Sequence, residues 1–148
     1  MVTTTPLVCV VIFNETRVLL VEKVYNDGTI AYGLPSGKIK ENENPIRGAL
    51  QAAEEKTGLV LKDIRDVGEY SAVVSRGEGW MHTKRVLAFY SGNFEGDLRP
   101  SGRNRPFWVG LDLVDNYNLL PNVKKIIMDA FNHHKLKPPG QSHFNLYG

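Results

Sequence analysis

Seven consecutive apolar residues, at positions 7–13, lie close to the start of the chain. This run is too short to cross a bilayer as a helix, and no cationic segment precedes it as in a signal peptide. A short run rich in Val instead predicts a buried β-strand. A second strand is predicted at Arg17–Val24, after the turn residues Asn14, Glu15 and Thr16, so we expect the two strands to form a hairpin.

The composition limits the class of protein. Of 148 residues, 42% are hydrophobic and 23% charged, which is the balance of one globular domain with a real core. Lys and Arg number 18 against 16 Asp and Glu, and this near balance argues against nucleic acid as a partner. The single cysteine, Cys9, excludes an internal disulfide and favours a cytoplasmic location. We expect one domain over residues 1–148, no membrane association, and a mobile tail at residues 135–148.

The clearest helix signal covers Pro45–Thr57. Its apolar residues recur at i, i+3, i+4 and i+7, with Asn44 placed to cap the start and Gly58 to end the helix. Further strands are predicted at residues 66–75, 81–91 and 107–109, and a closing helix at residues 121–131. This order of strands and helices favours a mixed sheet covered by helices on its faces.

Five residues between positions 37 and 59 have the spacing of a known sequence motif: Gly37, Glu43, Glu55, Gly58 and Leu59. The set resembles the Nudix box, G-x5-E-x7-R-E-U-x-E-E-x-G-U, in which U is a bulky aliphatic residue. Residues 34–38 are also similar to the Leu-Pro-Gly-Gly-Lys sequence common in that family. The resemblance implies an α/β/α sandwich with a mixed β-sheet. It also implies a nucleotide-type ligand, a nucleoside diphosphate linked to another group such as ADP-ribose.

The chain departs from the Nudix box in its helix, where Gln51 replaces the Arg, Ala52 the first Glu, Ala53 the aliphatic residue and Lys56 the last Glu. In the family, this helix gathers carboxylates that hold Mg²⁺ or Mn²⁺ against a pyrophosphate. The charges of the family's Arg and three Glu sum to −2. The residues at the same four positions here, Gln51, Ala52, Glu55 and Lys56, have charges that sum to zero. We therefore expect pyrophosphate hydrolysis to be weak or absent.

The resemblance assigns the remaining metal ligands to Gly37, Glu43 and Glu55, which are expected to hold Mg²⁺ or Mn²⁺ weakly. Helix geometry places positions 52, 55 and 56 within a sector of about 100°, so we expect them to face one site. Lys56 has two interpretations there. It either complements the dipole at the helix C-terminus or supplies the positive charge that a metal normally supplies to a phosphate.

Other residues are candidates for ligand binding. Lys23, Lys38 and Arg85 are expected to contact phosphate, and Trp80 is a candidate for stacking on a base. The alternative function is an active pyrophosphohydrolase in which Glu54 and Glu55 act in catalysis, with Glu43 and a downstream carboxylate. A pure interaction scaffold is a third class that no sequence feature favours specifically. A homodimer with a two-fold contact is the default expectation for assembly.

Overall fold

The computed structural model describes residues 6–75 and 81–135. Within these ranges, the strands are β1 (Leu7–Asn14), β2 (Arg17–Val24), β3 (Ile30–Gly33), β4 (Ser36–Lys38), β5 (Val60–Leu61), β6 (Arg65–Ser75), β7 (Met81–Ser91), β8 (Phe94–Glu95) and β9 (Asn104–Gly110). The helices are α1 (Pro45–Thr57), α2 (Val123–Lys135) and a 3₁₀ helix, Leu111–Asn116. Trp80 and the predicted tail beyond Lys135 lie outside the described residues.

The main sheet is mixed, as the order of elements predicts. Its strands follow the order β3-β2-β1-β7-β6, with β4 paired to β1 and β9 paired to β2. The β1 strand runs parallel to β7 and antiparallel to β2 and β4. The two short strands β5 and β8 form a separate antiparallel pair.

Both faces of β1 are buried, because consecutive side chains of a strand point to opposite faces of the sheet. One face carries Val8, Val10 and Ile12, which pack with the apolar side of α1. The other face carries Cys9 and Val11, which pack in the same cluster as the apolar side chains of α2. The sheet therefore lies between the two helices, and the predicted α/β/α sandwich is confirmed.

The predicted hairpin is much shorter than its two strands. β1 and β2 pair only at Phe13↔Val18 and Asn14↔Arg17. Beyond this point β1 continues between β4 and β7, whereas β2 pairs with β3 and β9. Over most of their length, therefore, the two strands pair with other strands of the sheet rather than with each other.

The helix α1 has the boundaries that its sequence predicts. The Asn44 side chain accepts a hydrogen bond from the Ile46 N–H, and Gly58 ends the helix with φ of +88°. The predicted second helix begins two residues later than expected, at Val123, and extends to Lys135. No helix within residues 6–75 and 81–135 is long and apolar enough to span a membrane.

Replacing Gly58 by Ala is expected to destabilise the fold by about 2–4 kcal/mol, from left-handed strain and a steric clash. A Cβ at this position would lie 2.6 Å from the Asp97 carbonyl oxygen. The control is Gly28→Ala, because Gly28 has φ of +89° but no heavy atom within 4 Å of an added Cβ. That variant should lose only about 1 kcal/mol. Urea unfolding measures both losses, and equal losses would contradict the close approach of Asp97.

Candidate functional site

An apolar pocket of about 210 Å³ opens between the sheet and the start of α2. Its apolar lining includes Leu7, Cys9, Val86, Leu120 and Ile126, and Lys23 and Asn122 add polar groups. These residues come from β1, β2, β7, α2 and the turn that precedes α2. A concave, mostly apolar cavity with a few polar groups is typical of a small-molecule site.

Backbone hydrogen bonds hold the wall of the apolar pocket in place. The Tyr32 N–H donates to the Asn118 carbonyl, and the Leu120 N–H donates to the Tyr32 carbonyl. A Cβ on Gly33 would lie 3.1 Å from the Leu120 side chain and 3.6 Å from Nζ of Lys23. The absence of a side chain at Gly33 therefore leaves room for Leu120 and Lys23 beside its backbone.

A second, smaller cavity of about 100 Å³ adjoins the first, and we call it the lysine pocket. It is lined by Val21, Lys23, Leu34, Pro35, Ser36, Lys56 and Asn104. Three of these residues, Lys23, Leu34 and Ser36, also line the apolar pocket. The two cavities therefore form one bipartite site, with an apolar part and a part that carries two ammonium groups and no carboxylate.

The charge of Lys56 reaches Lys23 in the lysine pocket. Burial desolvates the Lys23 ammonium and Lys56 repels it, so the pKa of Lys23 lies below its ordinary value. Neither lysine has an ion-pair partner among the side chains that the structure describes. Burial also raises the pKa of Cys9 to about 12, so this thiol stays protonated and unreactive at neutral pH, as its apolar strand predicts.

Ala52, Glu55 and Lys56, which are expected to face one site, differ in exposure and in the cavity that they line. Ala52, in the middle of the sector, is only 4% exposed, and a Cβ added to Gly37 would lie 3.2 Å from its Cβ. The β4 strand thus covers this position. As a result Lys56 lines the lysine pocket, whereas Glu55 lines a different cavity.

This other cavity is an open groove of about 500 Å³, which we call the glutamate groove. Its lining includes Glu54 and Glu55 on α1, together with Arg99, Pro100 and Ser101. The Gln51 amide donates a hydrogen bond to the Glu55 carboxylate, with 3.0 Å between the two atoms. Glu54, the other carboxylate of the alternative function, is exposed and lines the same groove as Glu55.

Glu43 has a local structural contact. Its carboxylate accepts a hydrogen bond from the Lys40 N–H at 2.9 Å, and a Cβ on Gly48 would lie 3.4 Å from the same oxygen. Glu43 thus closes the connection between β4 and α1. A role in metal binding stays a prediction for this residue.

The other residues predicted to contact the ligand do not line the two adjoining pockets within the described part of the chain. Lys38 is exposed at the end of β4 and is not a lining residue of the apolar or the lysine pocket. Arg85 is exposed on β7, where its guanidinium donates two hydrogen bonds to Glu69 at 2.8 and 3.0 Å. Trp80 lies outside the described residues. Phosphate contacts by Lys38 and Arg85 and base stacking by Trp80 stay predictions.

The described side chains do not form the group of ligands needed by the divalent cation that the Nudix box implies. The described residues contain no group of three or more His, Cys, Asp or Glu side chains that could hold a metal. In the lysine pocket a divalent cation would be repelled by the ammonium groups of Lys23 and Lys56, because like charges repel in a partly buried cavity. Glu55 lines the glutamate groove and is not among the residues that line the lysine pocket.

Sequence reasoning missed most of the apolar pocket. Leu7, Gly33, Val86 and Leu120 are distant in the sequence and belong to no motif. Only the turn Leu120, Pro121 and Asn122 before the closing helix carries a local signal, since Asn122 adopts a positive φ of 70° there.

Residues 3–131 match the family described as NUDIX domain. The fold is similar to the NUDIX domain of Shewanella oneidensis NrtR complexed with ADP ribose, with a TM-score of 0.75, 20% identity, and 90% of each chain covered. It is also similar to a MutT/nudix family protein from Enterococcus faecalis, with a TM-score of 0.74 and 18% identity over 93% of this chain and 64% of that one.

A curated relative is the mRNA-decapping protein g5R of African swine fever virus (isolate Pig/Kenya/KEN-50/1950). It is 29% identical over 73 residues, which are 49% of this chain and 30% of the viral protein. The matched region thus spans less than a third of that relative's length.

Replacing Lys56 by Met is expected to raise the pKa of Lys23. The change removes a neighbouring positive charge, which favours protonation, while burial still holds the pKa below the ordinary lysine value. An NMR pH titration of the Lys23 side chain measures the shift. Lys62→Met, which removes an exposed lysine paired with Glu95, should leave this pKa unchanged. An unaltered Lys23 pKa in Lys56→Met would show that the two charges do not interact.

Proposed function

The chain belongs to the NUDIX domain family, and on that premise we propose that it binds a nucleoside diphosphate linked to another group, of the ADP-ribose type. The observation that carries this proposal is the bipartite site. The apolar pocket and the lysine pocket share Lys23, Leu34 and Ser36, so one ligand spans both. A molecule with an apolar ring at one end and a diphosphate next to it matches an apolar pocket that adjoins a positively charged one.

The nucleoside end is assigned to the apolar pocket. The side chains of Leu7, Val86 and Leu120 provide apolar surface for a base, and the amide of Asn122 is a polar group near it. The Asn122 side-chain amide donates a hydrogen bond to the Ser71 carbonyl at 2.8 Å, and its oxygen is chemically able to accept one from a ligand. The diphosphate then lies toward Lys23 and Ser36.

Metal-dependent hydrolysis of this ligand is proposed to be weak or absent. Nudix hydrolases generally use divalent metals, which neutralise phosphate oxygens and activate water. Here the four helix positions of the box carry no net charge, and Ala52 has no carboxylate. Glu55 and Lys56 line different cavities, which further separates the remaining acid from the proposed phosphate position.

Two of the comparisons are compatible with a nucleotide-type ligand. The similar domain from Shewanella oneidensis NrtR was determined as a complex with ADP ribose. The viral relative is named as an mRNA-decapping protein, which also acts on a nucleotide-type substrate. Their sequence identities of 20% and 29% make them support for a class of ligand rather than for one compound.

A second candidate is an active pyrophosphohydrolase, and one observation favours it. Glu54 and Glu55 line the same groove, and the Gln51 amide orients the Glu55 carboxylate by a hydrogen bond. In this alternative the glutamate groove, rather than the lysine pocket, holds Mg²⁺ or Mn²⁺ with a downstream carboxylate. Glu43 is bonded within its own loop, so this alternative requires that loop to rearrange before Glu43 contributes.

ADP-ribose is expected to raise the melting temperature of the protein, because it binds the folded chain. Leu7→Glu should lower the affinity for ADP-ribose by roughly tenfold or more, since it places a carboxylate in the apolar pocket beside the ligand's phosphates. The matched control is Leu113→Glu, because Leu113 is 48% exposed on the 3₁₀ helix and lines neither pocket. If neither ADP-ribose nor any other nucleoside diphosphate shifts the melting temperature, the proposed function is wrong.

Incubation of the protein with ADP-ribose and Mg²⁺ or Mn²⁺ is expected to give little or no hydrolysis. Product analysis by chromatography measures the turnover. Clear turnover by the wild-type protein that disappears in Glu55→Gln would establish the pyrophosphohydrolase instead. The control is Glu95→Gln, which removes an exposed carboxylate paired with Lys62 outside both cavities.

A further inference from the structure

We propose that Lys23 and Lys56 together bind the diphosphate of the ligand directly, without a divalent cation between protein and phosphate. The inference rests on the proposed function and deepens it, because it states how the anionic part of the ligand is held. Three features support it: the charge of the lysine pocket, the positions of the acidic residues on α1, and the hydrogen-bond donors that line the pocket.

The lysine pocket has positive charge that no described ion pair neutralises. Its lining, within the part of the chain that the structure describes, includes two ammonium groups and no Asp or Glu. Neither lysine forms an ion pair with a described side chain, although four other ion pairs occur in the same part of the chain. Holding two like charges in a half-buried cavity is unfavourable unless an anion enters. A phosphate or diphosphate is therefore the complementary ligand.

The acids that would attract a metal lie elsewhere. Ala52 is covered by Gly37 and provides no ligand atom, while Glu55 lines the glutamate groove and is bonded to Gln51. The lysine pocket thus lacks the anionic cage on which a metal-mediated phosphate contact depends. The positive charge comes from the protein itself.

The donors in the lysine pocket suit phosphate oxygens. Each ammonium has three N–H donors and acts as a point charge toward phosphate. The Ser36 hydroxyl and the Asn104 amide line the same pocket and add uncharged donors. The pocket is small, about 100 Å³, and it opens to the apolar pocket through Lys23, Leu34 and Ser36. A diphosphate attached to a nucleoside thus reaches both lysines.

The test is calorimetric titration of inorganic pyrophosphate into the full chain in buffer that contains EDTA. The variants are Lys56→Gln, Lys23→Gln and the charge-retaining Lys56→Arg, with Lys62→Gln as the matched control outside the pocket. Circular dichroism and melting temperature verify that each variant folds. If the half-buried Lys23→Gln does not fold, Lys56→Gln with its Lys56→Arg counterpart still decides the result.

We expect the wild-type protein to bind pyrophosphate without metal, and both Gln variants to bind it roughly tenfold or more weakly, since each loses a charge-assisted contact. Lys62→Gln should bind like the wild type, and Lys56→Arg should retain most of the affinity. Absence of pyrophosphate binding in EDTA, or equal binding by Lys56→Gln and the wild type, would overturn the inference.

A parallel titration with ADP-ribose separates the two proposals. Binding of ADP-ribose only when Mg²⁺ is added would overturn the metal-free site and leave the proposed function intact. Absence of ADP-ribose binding with and without Mg²⁺, together with pyrophosphate binding in EDTA, would support the anion site and contradict the nucleoside assignment.

Discussion

The burial of β1 on both faces is the constraint on which the rest of the architecture depends. Val8 and Val10 are fully buried against the side of α1, while Val11 faces the α2 side, so the strand has no exposed face. Neither helix can be removed without exposing half of this strand to water. The same strand also pairs with β4, and the Val10 N–H donates to the Pro35 carbonyl at 3.0 Å. The core strand thereby holds the loop that forms the floor of the lysine pocket.

This loop lies against the middle of α1. Gly37 lies close to Ala52, the middle position of the α1 sector that also contains Glu55 and Lys56. Glu55 and Lys56, on either side of Ala52, line different cavities. A carboxylate at position 52 would lie where the sheet and the helix meet. With alanine there, the helix packs closely on β4, and the negative charge that would hold a metal between Glu55 and Lys56 is missing.

Lys23 and Lys56 have no ion-pair partner among the described side chains, and burial together with the charge of Lys56 disfavours the charged form of Lys23. Charged groups in such unfavourable surroundings cluster at functional sites. The same lysines oppose the cation that hydrolysis by this family employs. One electrostatic property therefore accounts both for the proposed binding of a diphosphate and for the proposed weakness of its hydrolysis.

The sequence by itself determined the helix α1, with its cap at Asn44 and its end at Gly58, because those signals are local and depend on a few neighbouring residues. It also determined the family resemblance, the neutral charge of the box and the burial of residues 8–13. Only the tertiary structure decided that Lys23 lies near Lys56 and that Glu55 lies in another cavity. The apolar pocket likewise depends on Leu7, Val86 and Leu120, which the parallel pairing of β1 with β7 and the Tyr32 backbone contacts bring together. Such contacts depend on long-range pairing, which no local pattern encodes.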